Sequence, residues 1–307
     1  MSRTGHAHDH AHGHGRAPAS YGFAFALATG LNVAFVVVEA VFGVLANSTA
    51  LVADAGHNLS DVLGLVVAWG AAVLSRRAPS GRYTYGLRGS SILAALFNAV
   101  FLLVAVGAIA WEAVHRMLAP QPVAGITVMV VAGIGIAING ATAALFASGR
   151  SRDINIEGAF LHMAADAAVS AGVVIGGGMI LLTGWLWIDP ALSLAICLVI
   201  VGSTWSLLRD AVKMSLAAVP AGIDADAVRA FLAQRPGVAA LHDLHIWPMS
   251  TTESALTCHL VMPGGHPGDG FLAETAQGLA HRFGIGHATL QIELGPAACA
   301  LAPDHVV

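Results

Sequence analysis

Charge is what this 307-residue chain has least of. Asp, Glu, Lys and Arg together make up 10% of it, against about 25% in a soluble domain. With 56% hydrophobic residues and a mean hydropathy of +0.74, the deficit excludes water as the solvent for most of the chain. The formal net charge is −4, so no basic surface points to a nucleic acid partner. Cysteine is almost absent. Cys197 lies in an apolar run, and Cys258 and Cys299 stand far apart, which excludes a disulfide framework or a CxxC zinc ribbon. No His-Glu pair occurs anywhere, so the HExxH arrangement of a zinc peptidase is excluded. The first twenty residues are polar and rich in histidine, and they do not read as a secretory leader.

What the chain does have is long apolar runs. Crossing the hydrocarbon of a bilayer takes roughly 20 mainly apolar residues in a helix. Six runs satisfy this, at 21–45, 50–74, 90–114, 123–147, 157–182 and 187–208. Basic residues then orient them. Arg3 and Arg16 precede the first run, Arg76, Arg77, Arg82 and Arg88 follow the second, and Arg150 and Arg152 follow the fourth. Arg209 and Lys213 follow the sixth, while the opposite side offers only Arg116. The excess of Lys and Arg on the cytoplasmic side predicts that both termini are cytoplasmic. A bacterial inner membrane is the expected location.

From 211 onward polar residues return and the periodicity changes. Helical spacing at 224–236 and 270–284 and alternating stretches at 238–249, 253–263 and 288–294 give the order αββαβ. This predicts a small α+β domain, ferredoxin-like, with its helices on one face of a sheet. The expected division is a His-rich tail at 1–20, a six-helix transmembrane bundle at 21–210, a cytoplasmic domain at 211–295 and a second tail at 296–307.

Two places in the apolar part carry ionisable residues. Residues 53–61 read ADAGHNLSD and residues 157–166 read EGAFLHMAAD. A carboxylate in hydrocarbon costs at least about 2.5–3.5 kcal/mol, so intramembrane acids mark function by default. His57 and Asp61, and again His162 and Asp166, are four apart, which puts each couple on one helix face. If the faces meet, two imidazoles and two carboxylates surround one point, a donor set suited to tetrahedral Zn²⁺. A polar clamp between helices is the alternative. Asp54, one turn before His57, reads as a partner that orients the imidazole or as a cap of the helix start. Asn32 and Glu39 read as lining a polar path or bonding neighbouring helices. Asn98 and Asn139 read as bonds between helices, and Gly172 and Gly176 as a close-packing pair. The five histidines of HAHDHAHGH, residues 6–14, can hold zinc transiently near the entrance.

NSTALVADAGHNLSDVLGL, TYGLRGSSILAALFNA, HMAADA, HDLHIW and HATLQIE together resemble the cation diffusion facilitator family, in its zinc-transporter-like form, from about 20 to 294. The resemblance implies six transmembrane helices, a cytoplasmic αββαβ domain and a homodimer. It implies no enzyme and no cofactor. The implied activity is export of Zn²⁺ in exchange for protons, by alternating access across the lipid bilayer; a membrane-embedded zinc sensor that binds without transporting is the alternative. By position, His57, Asp61, His162 and Asp166 match the family's transport site, and relatives with Asp in place of the first His are more permissive toward other metals. His242, His259, His287 and Glu293 match positions where relatives bind metal in the soluble domain, which makes Zn²⁺ a regulatory ligand as well as a substrate. His245 lies on the strand face of Asp243 and is not expected to be a ligand. The loop site of some relatives, built of Asp and His, is expected to be missing, since residues 78–87 hold neither. Arg88 is expected to pair with Asp210.

Overall fold

The computed structural model describes residues 19–75, 77–147, 154–295, 299 and 301. The histidines of the N-terminal tail, Arg3, Arg16, Arg76, Arg150 and Arg152 lie outside the described residues, as does most of the expected C-terminal tail. Six long helices come first: α1 (Ala19–Leu45), α2 (Thr49–Ser75), α3 (Ser90–Leu118), α4 (Gly125–Ala147), α5 (Ile154–Thr183) and α6 (Ile188–Ser215). They match the six apolar runs to within four residues at each end, except that α6 continues seven residues past 208, to Ser215. Among the described residues, the portions Ser90–Leu118, Gly125–Leu145, Phe160–Thr183 and Ile188–Ser215 are long and apolar enough to cross a membrane. Large apolar side chains such as Leu93, Phe97, Val104 and Trp111 of α3 point outward. An apolar surface of this extent is stable against lipid and aggregation-prone in water.

The chain divides into two compact units that do not follow its linear order. One takes the chain up to Leu59 together with His115–Ser193; the other takes Ser60–Val114 and everything from Leu194. In the first unit the tight α1–α2 connection shows why ANST is placed where it is. Asn47 adopts the left-handed conformation with φ of 56°, which a helix end needs and asparagine tolerates. The Ser48 amide donates back to the Gly43 carbonyl at 2.9 Å. Ser48 Oγ then accepts from the Leu51 amide at 3.1 Å and caps α2. Asp189, at the start of α6, completes the cap: it accepts from the Thr49 amide at 2.7 Å, from Thr49 Oγ1 at 2.8 Å, and from Ser48 Oγ. Asp54 is therefore not the cap of this helix. Arg116 Nη1 donates to the Asn47 carbonyl at 2.6 Å, which ties the end of α3 to the same turn.

Small residues set the helix spacing. A Cβ on Gly177 would sit 3.2 Å from the Gly125 carbonyl oxygen and 2.8 Å from Met129, so α4 and α5 approach at backbone contact here. A Cβ on Gly176 would meet Leu192 at 2.1 Å, whereas one on Gly172 would meet open space. The close-packing pair is Gly176 and Gly177, not Gly172 and Gly176.

In the second unit, α7 (Ala225–Ala233), β1 (Ala240–Pro248), β2 (Ser254–Val261), α8 (Asp269–Phe283) and β3 (Ile285–Glu293) follow in the order αββαβ. The sheet order is β1-β2-β3, with β1 antiparallel and β3 parallel to β2. Asp224 caps α7 by accepting from the Asp226 and Ala227 amides at 3.0 and 3.1 Å, and Gly284, at φ of 70°, ends α8 in the left-handed conformation. Val228 and Leu232 of α7 and Leu279 of α8 pack with Leu256, Cys258 and Leu260 of β2 to form the core. Alternation then sends His259 to the helix-free face. Arg88 pairs with Glu253 in the β1–β2 turn at 2.9 Å, and Asp210 instead meets its neighbour Arg209 at 3.7 Å. The Thr251 amide donates to Ser91 Oγ at 3.0 Å beside the Arg88 pair, so the start of α3 is joined to the sheet's turn.

Replacing Asp189 with Ala strands three buried donors and is expected to destabilise the chain by about 3 kcal/mol. Glu253→Gln breaks only an exposed pair and is expected to cost less than about 1 kcal/mol. Thermal unfolding of both variants in detergent measures the contrast; equal effects would contradict it.

Candidate metal centres

The first centre lies among helices of the first unit. His57 projects from the third turn of α2, and Asp166 and His162 project from α5 one turn apart. His57 Nε2 stands 3.3 Å from Asp166 Oδ1, and His162 Nε2 stands 3.7 Å from Asp166 Oδ2. The two imidazole rings meet edge to face with centroids 6.4 Å apart. The Asp166 side chain is 3% exposed, against 17% for His57 and 42% for His162, so the carboxylate is the most deeply buried of the three groups. Among the described residues, Asp166 Oδ1 finds no hydrogen-bond donor of good geometry. A buried oxygen in that state is costly unless a cation or proton meets it. Asp61 lies in α2 one turn beyond His57, and its side chain is outside the described residues.

Two neutral–acid pairs stand in the same unit. Asn58 Nδ2 donates to Glu39 Oε2 at 3.0 Å, and Ser170 Oγ donates to Asp54 Oδ2 at 3.0 Å. Glu39 and Asp54 are both fully buried. Asp54 thus ties α2 to α5, one turn from the His57 and Asp166 positions on each helix. Asn32 of α1 reaches the Met163 sulfur at 3.6 Å, a contact beside His162 in sequence. Asn139 is buried in α4, and its amide nitrogen has no hydrogen-bond partner among the described residues.

The second centre lies on the helix-free face of the sheet. His242 and His259 are directly opposed across β1 and β2, with ring centroids 5.1 Å apart. Glu293 ends β3 beside them. Its Oε1 lies 2.9 Å from His259 Nδ1 and 3.3 Å from His242 Nε2. Burial raises the Glu293 pKa, but contacts with the Cys299 thiol and with His242 and His259 outweigh it and hold the carboxyl below its ordinary value. The group is ionised at neutral pH, as a ligand must be. A fourth donor completes the set: Cys299 Sγ, 3.5 Å from His259 Nδ1. One ligand atom from each of His242, His259, Glu293 and Cys299 falls within 4.8 Å of every other.

His287 is not in this group. It pairs with Ala255 near the start of β3, while Glu293 pairs with Val261 at the other end. Six residues of strand, roughly 20 Å, separate them. The His287 ring instead packs edge-on against Tyr85 with centroids 5.6 Å apart.

Asp243 is the less obvious member of the arrangement. Four residues of β1, His242 to His245, match only three of β2, His259 to Thr257, so β1 carries a bulge. Asp243 occupies it at φ of 52°. In a regular strand Asp243 would face away from His242, but the bulge re-aims it. Its Oδ2 reaches 3.4 Å from His259 Nε2, and its Oδ1 lies 2.8 Å from His245 Nε2. A carboxylate on the far nitrogen fixes the tautomer and orientation of a ligand imidazole. His245 is thereby engaged by Asp243 and not by the four-donor group.

Sequence reasoning did not find Cys299. It stands six residues past Glu293, beyond the last strand, and no spacing rule ties it to a histidine on another strand. The bulge at Asp243 had a faint signal, an acid between two histidines in a strand that otherwise alternates.

Two family models cover nearly the whole chain. A cation efflux transmembrane domain matches residues 25–214, and the cytoplasmic domain of cation efflux proteins matches residues 220–294. The chain is 36% identical over 279 residues to the metal cation efflux system protein CzcD of Cupriavidus metallidurans, covering 91% of this chain and 88% of the relative. It is 36% identical over 271 residues to the zinc transporter ZitB of Escherichia coli, covering 88% and 86%. It is 32% identical over 264 residues to a cadmium, cobalt and zinc/H⁺–K⁺ antiporter of Bacillus velezensis, covering 84% of each. With a membrane helical domain and a cytoplasmic domain both matched in order, the chain belongs to the cation efflux, or cation diffusion facilitator, family, whose members are transporters and not enzymes.

Proposed function

We propose that the protein exports Zn²⁺ from the cytoplasm in exchange for protons, using His57, Asp61, His162 and Asp166 as the transport site. The observation that carries this reading is the carboxylate of Asp166, buried between the imidazoles of His57 and His162. Helical spacing adds Asp61 to the His57 face. The names of the relatives, a zinc transporter and metal efflux proteins, support metal export. In this reading all six long helices span a bacterial inner membrane with both termini in the cytoplasm. The αββαβ domain, ferredoxin-like, joins two copies into a homodimer, as the cytoplasmic dimer domain of the family supports.

The chemistry follows from the donor set. Two nitrogens and two oxygens suit tetrahedral zinc at about 2.0–2.2 Å. Zn²⁺ with two carboxylates is formally neutral, which removes much of the cost of holding a divalent ion in a low-dielectric layer. Imidazoles must be neutral and carboxylates ionised to bind it, so metal and protons compete for one site. Zinc arriving from the cytoplasm displaces protons from the site. When the bundle opens outward, protons enter, bind first to His57 and His162, and weaken the site until the metal leaves. The proton-loaded site then returns inward. The soluble-domain donors His242, His259 and Glu293 bind zinc as a regulatory ligand, and His287, at the other end of β3, takes no part.

Zinc flux in proteoliposomes under an imposed pH gradient tests exchange. Flux is expected to rise with a proton gradient directed opposite to zinc and to fall to the gradient-free rate on adding a protonophore; flux indifferent to the gradient would contradict proton exchange. His57→Asp replaces a nitrogen donor with an oxygen donor, which favours harder ions. Its manganese flux relative to zinc is expected to increase, and an unchanged ratio would show that the imidazole does not select the metal.

A further inference from the structure

The soluble-domain cluster contains a sulfur atom that the transport site lacks. Cys299 Sγ lies 3.5 Å from His259 Nδ1, which itself lies 2.9 Å from Glu293 Oε1. His242 Nε2 lies 3.3 Å from the same oxygen and, although buried, has no hydrogen bond of good geometry among the described residues. Four ligands around a tetrahedral zinc at about 2.0–2.3 Å lie about 3.3–3.8 Å from one another. The separations here include 2.9, 3.3 and 3.5 Å, and none exceeds 4.8 Å, so only small side-chain adjustments are needed to reach that geometry. The far nitrogen of His259 is already engaged by Asp243 at 3.4 Å, which leaves Nδ1 for a metal.

We propose that Cys299 is a thiolate ligand, making the soluble-domain centre a site of two imidazoles, one carboxylate and one thiolate for thiophilic divalent cations such as Zn²⁺, Cd²⁺ and Co²⁺. The proposal rests on the reading that the soluble domain binds metal, and it adds the ligand that sets which metals bind and which part of the chain they hold. Cys299 lies beyond the last strand, so occupancy fastens that segment to the helix-free face of the sheet. A sulfur donor shifts affinity away from Mn²⁺ and Mg²⁺ relative to an all-nitrogen-and-oxygen set. The two centres therefore differ in kind: the transport site holds metal with donors that protons can reclaim, whereas the soluble site adds a donor that binds soft cations more firmly.

The other cysteines do not fill this role. Cys258 is fully buried in the core on the opposite face of β2, and burial pushes its thiol up to about 12. Its sulfur donates to the His242 carbonyl at 3.6 Å. Cys197 is buried within α6. Cys299 alone of the three is partly exposed, so its reactivity can be followed in the intact chain.

The test uses the full-length protein and Co²⁺, because a thiolate bonded to cobalt absorbs in the near ultraviolet by sulfur-to-metal charge transfer and imidazole or carboxylate ligands do not. Cobalt is expected to produce this band in the wild type, and Cys299→Ser and His242→Ala are each expected to abolish it. Independently, Zn²⁺ at about 100 times its Kd is expected to slow iodoacetamide alkylation of Cys299 about 100-fold, since only the metal-free fraction reacts; His242→Ala removes that protection. The alkylation arm needs no cysteine variant, so a poorly folded Cys299→Ser does not blunt the test. If cobalt binds without the band, but one equivalent per chain is lost in His242→Ala, the soluble-domain site stands and Cys299 is not its ligand. If neither the band nor a His242-dependent equivalent is found, the reading that the soluble domain binds metal falls as well. A band that persists in Cys299→Ser assigns the sulfur to another cysteine and overturns the proposal.

Discussion

One buried carboxylate constrains the membrane part of this protein. Asp166 is nearly inaccessible, lies within ion-pair distance of imidazoles from two different helices, and has one oxygen without a good hydrogen bond among the described residues. In hydrocarbon such a group is tolerated only if a cation or a proton is always at hand. The neighbouring pairs are built to a similar end. Glu39 with Asn58 and Asp54 with Ser170 place neutral donors against buried acids, so polar contacts between helices surround the site without adding fixed positive charge that would repel a metal ion. Holding this arrangement requires helices that do not slide. The backbone contact at Gly125 and Gly177 and the Asp189 cap on α2 supply that rigidity near the ends of the helices concerned.

The soluble domain solves a different problem on the two faces of one sheet. Alternation along β2 gives Leu256, Cys258 and Leu260 to the helices and leaves His259 for the other side. The parallel pairing of β3 then brings Glu293 level with the end of β2, and the bulge in β1 turns Asp243 toward the imidazole it would otherwise avoid. A hydrophobic core and a ligand cluster thus share three strands without competing for the same side chains. The same unit contains the start of α3, joined to the β1–β2 turn through Arg88, Glu253, Ser91 and Thr251.

Much of this is legible in the sequence, and the boundary of legibility has physical causes. Helices of 23 to 30 residues announce themselves because lipid demands a continuous apolar run. His57, His162 and Asp166 stand out because charge in such a run is expensive and therefore rare. The αββαβ order shows in the change of period after residue 211. Register does not show. His287 and Glu293 share a strand face by parity, yet lie at opposite ends of β3, and only the pairing of strands reveals it. Arg88 is expected from the sequence to meet Asp210, but the fold brings it to Glu253. Cys299 is invisible for a related reason: it lies outside the strands, where no periodicity ties it to the histidines it meets. Asp54 reads as a cap or as a partner that orients His57, but Ser48 and Asp189 fill the capping role and Asp54 bonds Ser170.

The most direct measurement of the central claim is zinc flux in proteoliposomes containing the full chain with Asp166→Asn. This change keeps the size of the side chain and removes its charge. The account predicts zinc flux reduced to that of protein-free liposomes, in a protein whose thermal unfolding remains close to that of the wild type. Normal zinc flux in the folded variant would show that the metal does not pass between His57 and His162.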